Sequence, residues 1–162
     1  MFSNKIIALA TEVLVLARAQ NLKIATAESC TGGLIIGALT EIAGSSDVVD
    51  RGFVTYTNRA KMESLGLEAD TLKIDGAVSS DVAIAMAMGA IQNSSANIAV
   101  SVTGIAGPDG GTDIKPVGLV HMAAIKRGGN TLHQKHNFGN IGRSKVREKT
   151  IIAALELLKE II

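Results

Sequence analysis

One stretch decides the fold of this chain, because within it a strand-like sequence gives way to a helix-like one: Leu22-Lys23-Ile24-Ala25-Thr26-Ala27-Glu28-Ser29-Cys30-Thr31-Gly32-Gly33-Leu34-Ile35-Ile36-Gly37-Ala38-Leu39. Residues 22–25 predict a short strand. Residues 34–39 form an apolar, Ala-rich run that is too long to be only a strand. The residues between them therefore predict a sharp strand-to-helix turn.

The turn is rich in hydroxyl, thiol and glycine residues, a composition that suits two functions. A strand-to-helix turn can hold a nucleophile such as Ser29 at a sharp bend. Backbone N–H groups of the new helix, over Cys30–Gly33, would point into the same space and favour negative charge there. Taken alone, the turn is explained equally well as a Ser or Thr helix cap followed by glycines for close packing.

Helical and strand patterns alternate along the rest of the chain. Helical spacing predicts helices over residues 5–19, 34–43, 58–65 (with Asn58 as the cap), 82–92 and 143–162. Runs rich in β-branched and aromatic residues predict strands over 48–56, 98–103, 117–126 and 131–138, whereas residues 67–76 are polar and irregular with at most one helical turn. This order favours a layered α/β fold with a mixed sheet, formed by a single domain over residues 1–162.

The composition excludes several classes of protein. The 162 residues are 47% hydrophobic with no Trp, one Tyr and three Phe, so the core must be aliphatic. A net charge of +1 and the scarcity of aromatic residues argue against a nucleic-acid partner. A single cysteine excludes an intrachain disulfide and fits a reducing compartment. Without a run of transmembrane length or a signal-peptide pattern, we expect a cytoplasmic protein with no membrane partner.

A serine nucleophile needs a base, and the histidines are poorly placed to be that base. All three, His121, His133 and His136, lie in the predicted hairpin of residues 117–138. His133 and His136 are three residues apart and point to opposite faces of a strand, which makes them a poor metal pair. We interpret the three as structural or surface residues.

Lysine can replace histidine as a base where burial lowers its pKa. Lys61 is the candidate, because its helix follows the strand that ends near Tyr56, the only tyrosine. An exposed lysine on a helix surface is the commoner case and is the alternative interpretation. Cys30 adjoins Ser29 and is an alternative nucleophile, although a cysteine beside such a turn often faces the core.

The glycine-rich loop after Thr103, over residues 104–111, is a candidate ligand-binding segment. Its glycines let the backbone approach a ligand closely, but it lacks the ending of a P-loop and the spacing of a Rossmann motif. Because ligands of layered α/β folds bind at strand ends, this loop and the turn after Ala25 are expected to face one cleft. Arg143 could pair a phosphate there through two hydrogen bonds. A flexible surface loop is the alternative.

Together these segments resemble the C-terminal domain family of the competence/damage-inducible protein CinA, whose stand-alone members are nicotinamide mononucleotide (NMN) deamidases. The resemblance runs from about Ser3 to Ile162. Its motifs occur in order as Thr26-Ala-Glu-Ser-Cys-Thr-Gly-Gly33, Ile42-Ala-Gly-Ser-Ser46, Arg51-Gly-Phe-Val-Thr-Tyr-Thr-Asn58, Ala60-Lys61, Gly76-Ala-Val-Ser79, Gly104-Ile-Ala-Gly-Pro-Asp-Gly-Gly111 and Lys115-Pro-Val-Gly118.

The resemblance implies a three-layer α/β/α sandwich and hydrolysis of the carboxamide of NMN to nicotinic acid mononucleotide and ammonia, without a metal or another cofactor. It implies Ser29 as the nucleophile, Lys61 as its base and Tyr56 as an assisting residue. The substrate contacts that we expect on this basis lie in the turn, in the glycine-rich loop and before the last helix: Cys30, Thr31, Gly32, Gly33, Thr103, Gly104, Ala106, Gly107 and Arg143.

The sequence departs from the family pattern at one point. Members tend to have Phe-x-Gly-Asp-Arg before the last helix, whereas this chain has Phe138-Gly-Asn-Ile-Gly-Arg143. Gly142 thus stands at the position of the aspartate, with one residue inserted. If that aspartate orients the arginine, phosphate binding is weaker here, and an amidase for a different pyridine or nucleotide amide is an alternative.

Two further expectations concern function class and assembly. A non-catalytic nucleotide-binding or regulatory module, linked to DNA uptake or damage as the family name suggests, is the alternative to an enzyme and would bind its ligand without turnover. The apolar end of the chain, Ile161-Ile162, favours a covered surface and hence a homo-oligomer.

Overall fold

A computed structural model describes residues 1–162 and contains six α-helices, five strands and one short 3-10 helix over Ser45–Asp47. The helices are α1 (Asn4–Ala19), α2 (Leu34–Thr40), α3 (Asn58–Leu65), α4 (Ala69–Ile74), α5 (Ser80–Gln92) and α6 (Arg143–Ile161). The strands are β1 (Ile24–Glu28), β2 (Val49–Val54), β3 (Ile98–Gly104), β4 (Leu119–Lys126) and β5 (Thr131–Asn137). No helix combines the length and the apolar character that a membrane crossing requires.

The strands form one mixed sheet in the order β2–β1–β3–β4–β5. β1 pairs in parallel with β2 on one side and with β3 on the other, whereas β4 and β5 continue the sheet antiparallel. The chain leaves β1 toward β2 on one side and leaves β3 toward β4 on the other, so a crevice opens at the carboxyl ends of β2, β1 and β3. Ligands of open α/β sheets bind at such a point.

Helices cover both faces of the sheet, which confirms the three-layer α/β/α sandwich. One core lies between the sheet and helices α1, α2 and α6, and includes Ile24, Val100 and Met122. The other lies between the sheet and α3, α4 and α5, and includes Ala25 and Ala99. Every residue of β1 is buried, since the strand has neighbours on both edges and helices on both faces.

Several element boundaries differ from those predicted. β1 runs to Glu28 rather than ending at residue 25, because pairing with β3 continues to that residue. α2 ends at Thr40 rather than at residue 43. The cap of α3 is Thr57, whose side chain accepts the N–H of Ala60, and not Asn58, which is the first helical residue. The segment predicted as irregular contains α4.

Candidate active site

The candidate site lies where the three parallel strands end. Backbone bonds continue the sheet just beyond β1: Thr55 N–H donates to Glu28 O at 2.8 Å, and Ser29 N–H donates to Val102 O at 3.1 Å. Ser29 is thereby fixed between the ends of β2 and β3. The chain after β2 continues into α3, and this helix brings Lys61 to the same place.

Ser29 and Lys61 form a buried pair. Lys61 Nζ lies 3.1 Å from Ser29 Oγ and donates a second hydrogen bond of 2.8 Å to Thr55 O. Lys61 is 1% exposed, and Ser29 is 9% exposed. Burial lowers the pKa of the Lys61 amine, and none of the ion pairs of the chain includes it. An amine in this setting loses its proton more readily than a surface lysine and can act as a base.

A cavity of about 270 Å³ opens at this pair. Nine of the predicted site residues line it: Ser29, Cys30, Tyr56, Lys61, Thr103, Gly104, Ala106, Gly107 and Arg143. The structure thus brings together residues from the turn, the α3 region, the glycine-rich loop and the start of α6.

Six other residues line the cavity that were not named individually as site residues: Asn58, Ala77, Val78, Ile105, Asp109 and Gly110. The last three belong to the glycine-rich loop that was predicted to bind a ligand. All six lie within the quoted motifs, and the polar side chains of Asn58 and Asp109 were a usable signal. Ala77 and Val78 precede α5, and no chemical feature of their side chains points to a site.

Arg143 bridges two walls of the cavity. Its Nη2 donates a hydrogen bond of 2.7 Å to the hydroxyl of Tyr56, and its Nη1 donates one of 3.0 Å to Gly107 O. Tyr56 is 58% exposed, so this bridge lies at the mouth rather than at the base. Thr103 lies deeper, and its hydroxyl donates to Ala77 O at 2.6 Å. Its oxygen lone pairs stay available to a ligand donor.

Burial disfavours Cys30, the alternative nucleophile. Its thiol is buried, and burial raises its pKa to about 12. The thiolate, which is the reactive form, is therefore scarce at neutral pH. The geometry favours Ser29, whose hydroxyl contacts the lysine.

The expectation that residues 30–33 present helix N–H groups to the substrate is wrong for Gly32 and Gly33, because the N–H of Gly32 donates to Ser29 O and that of Gly33 to Glu28. Helix α2 begins only at Leu34, and the N–H groups of Gly33, Ile35 and Ile36 donate to the carboxylate of Glu28. Thr31, Gly32 and Gly33 accordingly do not line the cavity. Cys30 does line it, and its N–H has no acceptor within the chain, which leaves this group as a candidate donor to an oxyanion.

None of the three histidines lines the cavity. His121 and His133 stack on neighbouring strands, with Nδ1 of the first 3.0 Å from Nε2 of the second. His136 lies 3.0 Å from Gln134 Oε1. The prediction that histidine is not the base for Ser29 agrees with this arrangement.

Gly142, which replaces the aspartate of the family pattern, immediately precedes α6. Its φ is 92°, a conformation that residues other than glycine rarely adopt. The backbone here is therefore shaped for glycine, and Arg143 is held by Tyr56 and Gly107 without a carboxylate.

Fold and site together define an α/β protein with a serine–lysine pair in a cavity at the carboxyl ends of its parallel strands. Residues 6–162 match the model of the CinA C-terminal domain, and the chain belongs to that family. A crystal structure titled competence/damage inducible protein CihA, from Agrobacterium tumefaciens, superposes with a TM-score of 0.98 at 55% identity, covering 99% of this chain and 98% of the other.

Relatives of two lengths match the chain. A protein of Enterobacter agglomerans named nicotinamide-nucleotide amidohydrolase PncC is 44% identical over 163 residues, covering 100% of this chain and 99% of the relative. A CinA-like protein of Syntrophobacter fumaroxidans is 45% identical over 145 residues, covering 90% of this chain but 34% of the relative. The chain thus spans about a third of the length of many curated relatives that it matches.

Proposed function

We propose that this chain is an amidohydrolase that converts NMN to nicotinic acid mononucleotide and ammonia, with Ser29 as the nucleophile and Lys61 as its base. The observation that carries the proposal is the 3.1 Å approach of Lys61 Nζ to Ser29 Oγ inside a cavity. The full-length similarity to a protein named nicotinamide-nucleotide amidohydrolase supports the choice of substrate.

In the acylation step, neutral Lys61 accepts the proton of the Ser29 hydroxyl while Ser29 Oγ attacks the carboxamide carbon. The carbonyl oxygen becomes an oxyanion, to which the N–H of Cys30 donates; one such donor contributes about 3–4 kcal/mol in known enzymes. The tetrahedral intermediate collapses, its C–N bond breaks, and ammonia leaves with the proton from Lys61. The nicotinoyl group remains as an ester of Ser29.

In the deacylation step, water takes the place of ammonia. Lys61 accepts a proton from the water as its oxygen attacks the ester carbon, and then returns the proton to Ser29 Oγ when the ester bond breaks. Thr55 O holds the amine through a 2.8 Å bond throughout, so the lysine stays beside the reacting oxygen. The product is the carboxylate.

The mouth of the cavity suits the phosphate of a nucleotide. Arg143 is the first residue of α6, and its guanidinium offers further N–H groups beside those that bind Tyr56 and Gly107. No side chain caps α6, so the positive end of its dipole also favours an anion here. Asp109 lines the same cavity and offers an acceptor for ribose hydroxyls.

The test is release of ammonia from NMN by the purified protein, with and without a chelator and with free nicotinamide as the control substrate. We expect release from NMN by the wild-type protein and none by Ser29→Ala. Release from other nucleotide amides but not from NMN would keep the reaction and change the substrate. NMN binding by calorimetry without release would favour the non-catalytic nucleotide-binding module.

A further inference from the structure

Glu28 is a fully buried carboxylate with an unusual number of hydrogen bonds. It is 0% exposed and immediately precedes the proposed nucleophile. Five groups donate to its two oxygens, at distances between 2.7 and 3.1 Å: the hydroxyls of Thr26 and Thr31, and the backbone N–H groups of Gly33, Ile35 and Ile36. No cation is among them.

The direction of this side chain follows from its place on β1. Ala25 and Ala27 face the core under α5, so Thr26 and Glu28, which alternate with them, face the opposite core where α2 begins. The carboxylate thus meets the positive end of α2, where backbone N–H groups lack helical partners. It takes the place that a bound anion occupies at other helix starts.

Four of the five donors follow Ser29 in the chain. The carboxylate therefore connects the last residue of β1 to the far side of the turn and closes a loop around residues 29–33. Within this loop, Gly32 N–H donates to Ser29 O at 3.1 Å. Cys30, whose N–H makes no backbone hydrogen bond, lines the cavity.

We propose that Glu28 is a positioning residue for the reaction. It fixes the turn so that Ser29 Oγ stays directed at Lys61 and Cys30 N–H stays directed at the developing oxyanion. This inference rests on the proposed function for its substrate, but the role it assigns concerns the reactivity of Ser29 and can be measured with a different reagent.

The test compares two nearly isosteric substitutions that each remove one hydroxyl donor to Glu28. Thr31 lies in the turn and Thr26 on β1, and both are fully buried. Thr31→Val should lower kcat for NMN at least tenfold with KM within threefold of wild type. Thr26→Val should leave kcat within threefold. Glu28→Gln, which leaves at least one N–H group without an acceptor, should lower kcat at least 100-fold.

Ser29 labelling by a fluorophosphonate provides a readout that does not depend on NMN. We expect the labelling rate to fall in the order wild type, Thr31→Val, Glu28→Gln. Val13→Ala, a truncation in the core beneath α1, controls for lost stability and should leave both kcat and labelling unchanged. If Thr31 and Glu28 had a structural role alone, Thr31→Val and Glu28→Gln would lower the melting temperature. Their kcat values would then equal the kcat of Val13→Ala.

Each outcome decides between the two proposals. If the wild-type protein is labelled at Ser29 but releases no ammonia from NMN, the substrate assignment fails and the labelling rates still test Glu28. If Thr31→Val is labelled as fast as Thr26→Val, the positioning role is overturned. The positioning role is also overturned if the wild-type protein is neither labelled by the fluorophosphonate nor active on NMN. Should Glu28→Gln not fold, the two threonine variants, which keep the carboxylate, carry the test.

Discussion

Lys61 Nζ lies 3.1 Å from Ser29 Oγ, although 32 residues separate the two in sequence. The contact depends on the parallel pairing of β1 with β2, because that pairing brings the start of α3 to the end of β1. The amine has no carboxylate partner among the ion pairs of the chain, so its environment favours the neutral form.

Replacing the lysine should slow turnover strongly without unfolding the chain. Lys61→Met removes the base, and we expect kcat to fall by about 10²- to 10⁴-fold, the usual contribution of a positioned base. Lys61→Arg should be as inactive, since a guanidinium keeps its proton at any working pH. Ammonia release is the measurement, with Lys73→Met as the surface control, because Lys73 is exposed on α4. Activity of Lys61→Arg near wild type would remove this residue from the mechanism.

The reaction should be faster at higher pH. Burial lowers the pKa of Lys61 below its usual value of about 10.4, and only the neutral amine accepts the proton of Ser29. The pH profile of kcat/KM for NMN should therefore rise to a plateau with a midpoint below that value. A midpoint at the ordinary pKa of lysine, or a profile flat from acid to alkaline pH, would contradict the role of base.

Arg143 should affect substrate binding more than chemistry. Arg143→Met removes the positive charge at the mouth, and we expect KM for NMN to rise at least tenfold with a smaller change in kcat. The matched variant Tyr56→Phe removes only the hydroxyl that accepts the bond from Arg143, so its effect on KM should be smaller. Nicotinamide riboside, which lacks the phosphate, is the control substrate, and the substitution should leave its kcat/KM nearly unchanged.

Mild acid should destabilise the hairpin of β4 and β5. Burial, followed by the neighbouring charges of His133 and Lys135, lowers the pKa of His121 to about 4 from 6.5. The unfolded chain thus binds this proton at a higher pH than the folded chain, so stability is full above about pH 6.5 and falls as the pH decreases toward 4.

The loss should be on the order of 1 kcal/mol, less than the full shift implies because the ring is partly solvated. Thermal unfolding at pH 7.5 and pH 4.5 measures it. His121→Gln should reduce the difference between the two melting temperatures. An unchanged difference would assign the acid sensitivity to other groups.

Two glycine-to-alanine substitutions in helices should have opposite effects on stability. A Cβ at Gly89 of α5 would lie 2.1 Å from Leu65 O, so Gly89→Ala should destabilise the fold by roughly 1–3 kcal/mol. At Gly37 of α2 the nearest atom would be 3.5 Å away, so Gly37→Ala should be neutral or stabilise by up to about 1 kcal/mol. Denaturant unfolding of both variants gives the comparison. Equal effects would mean that α5 can move away from α3.

The sequence predicted where the site lies because that position depends on local patterns. Strand-like runs before Ser29 and through Thr103, each followed by small residues, were enough to place two strand ends at one cleft. Lys61 was found by elimination of the histidines and by the position of its helix after β2. These inferences need only element order and the rule that parallel strands end at one edge.

The sequence did not predict the hydrogen-bond partners of residues 29–33, the turn that follows β1. Pairing of β1 with both neighbours extends the strand to Glu28, an effect of tertiary structure that residues 22–25 alone do not encode. The carboxylate then binds the N–H of Gly33, one of the groups that had been assigned to the substrate, together with those of Ile35 and Ile36. The positions of Asn58 and Asp109 in the cavity likewise depend on how loops fold over the sheet, which periodicity does not describe.

The reversal of strand order at β1 has a consequence for how this family can diversify. Ser29 follows β1, which lies between the parallel strands β2 and β3, whereas about half of the residues that line the cavity lie at positions 103–110, which carry no part of the serine–lysine pair. Insertions or exchanges in that loop can alter the shape and charge of the opening while the reacting groups keep their spacing. The same buried serine–lysine pair can therefore be combined with many different loops at the opening of the cavity, so that new substrates are acquired by changes in the loop alone.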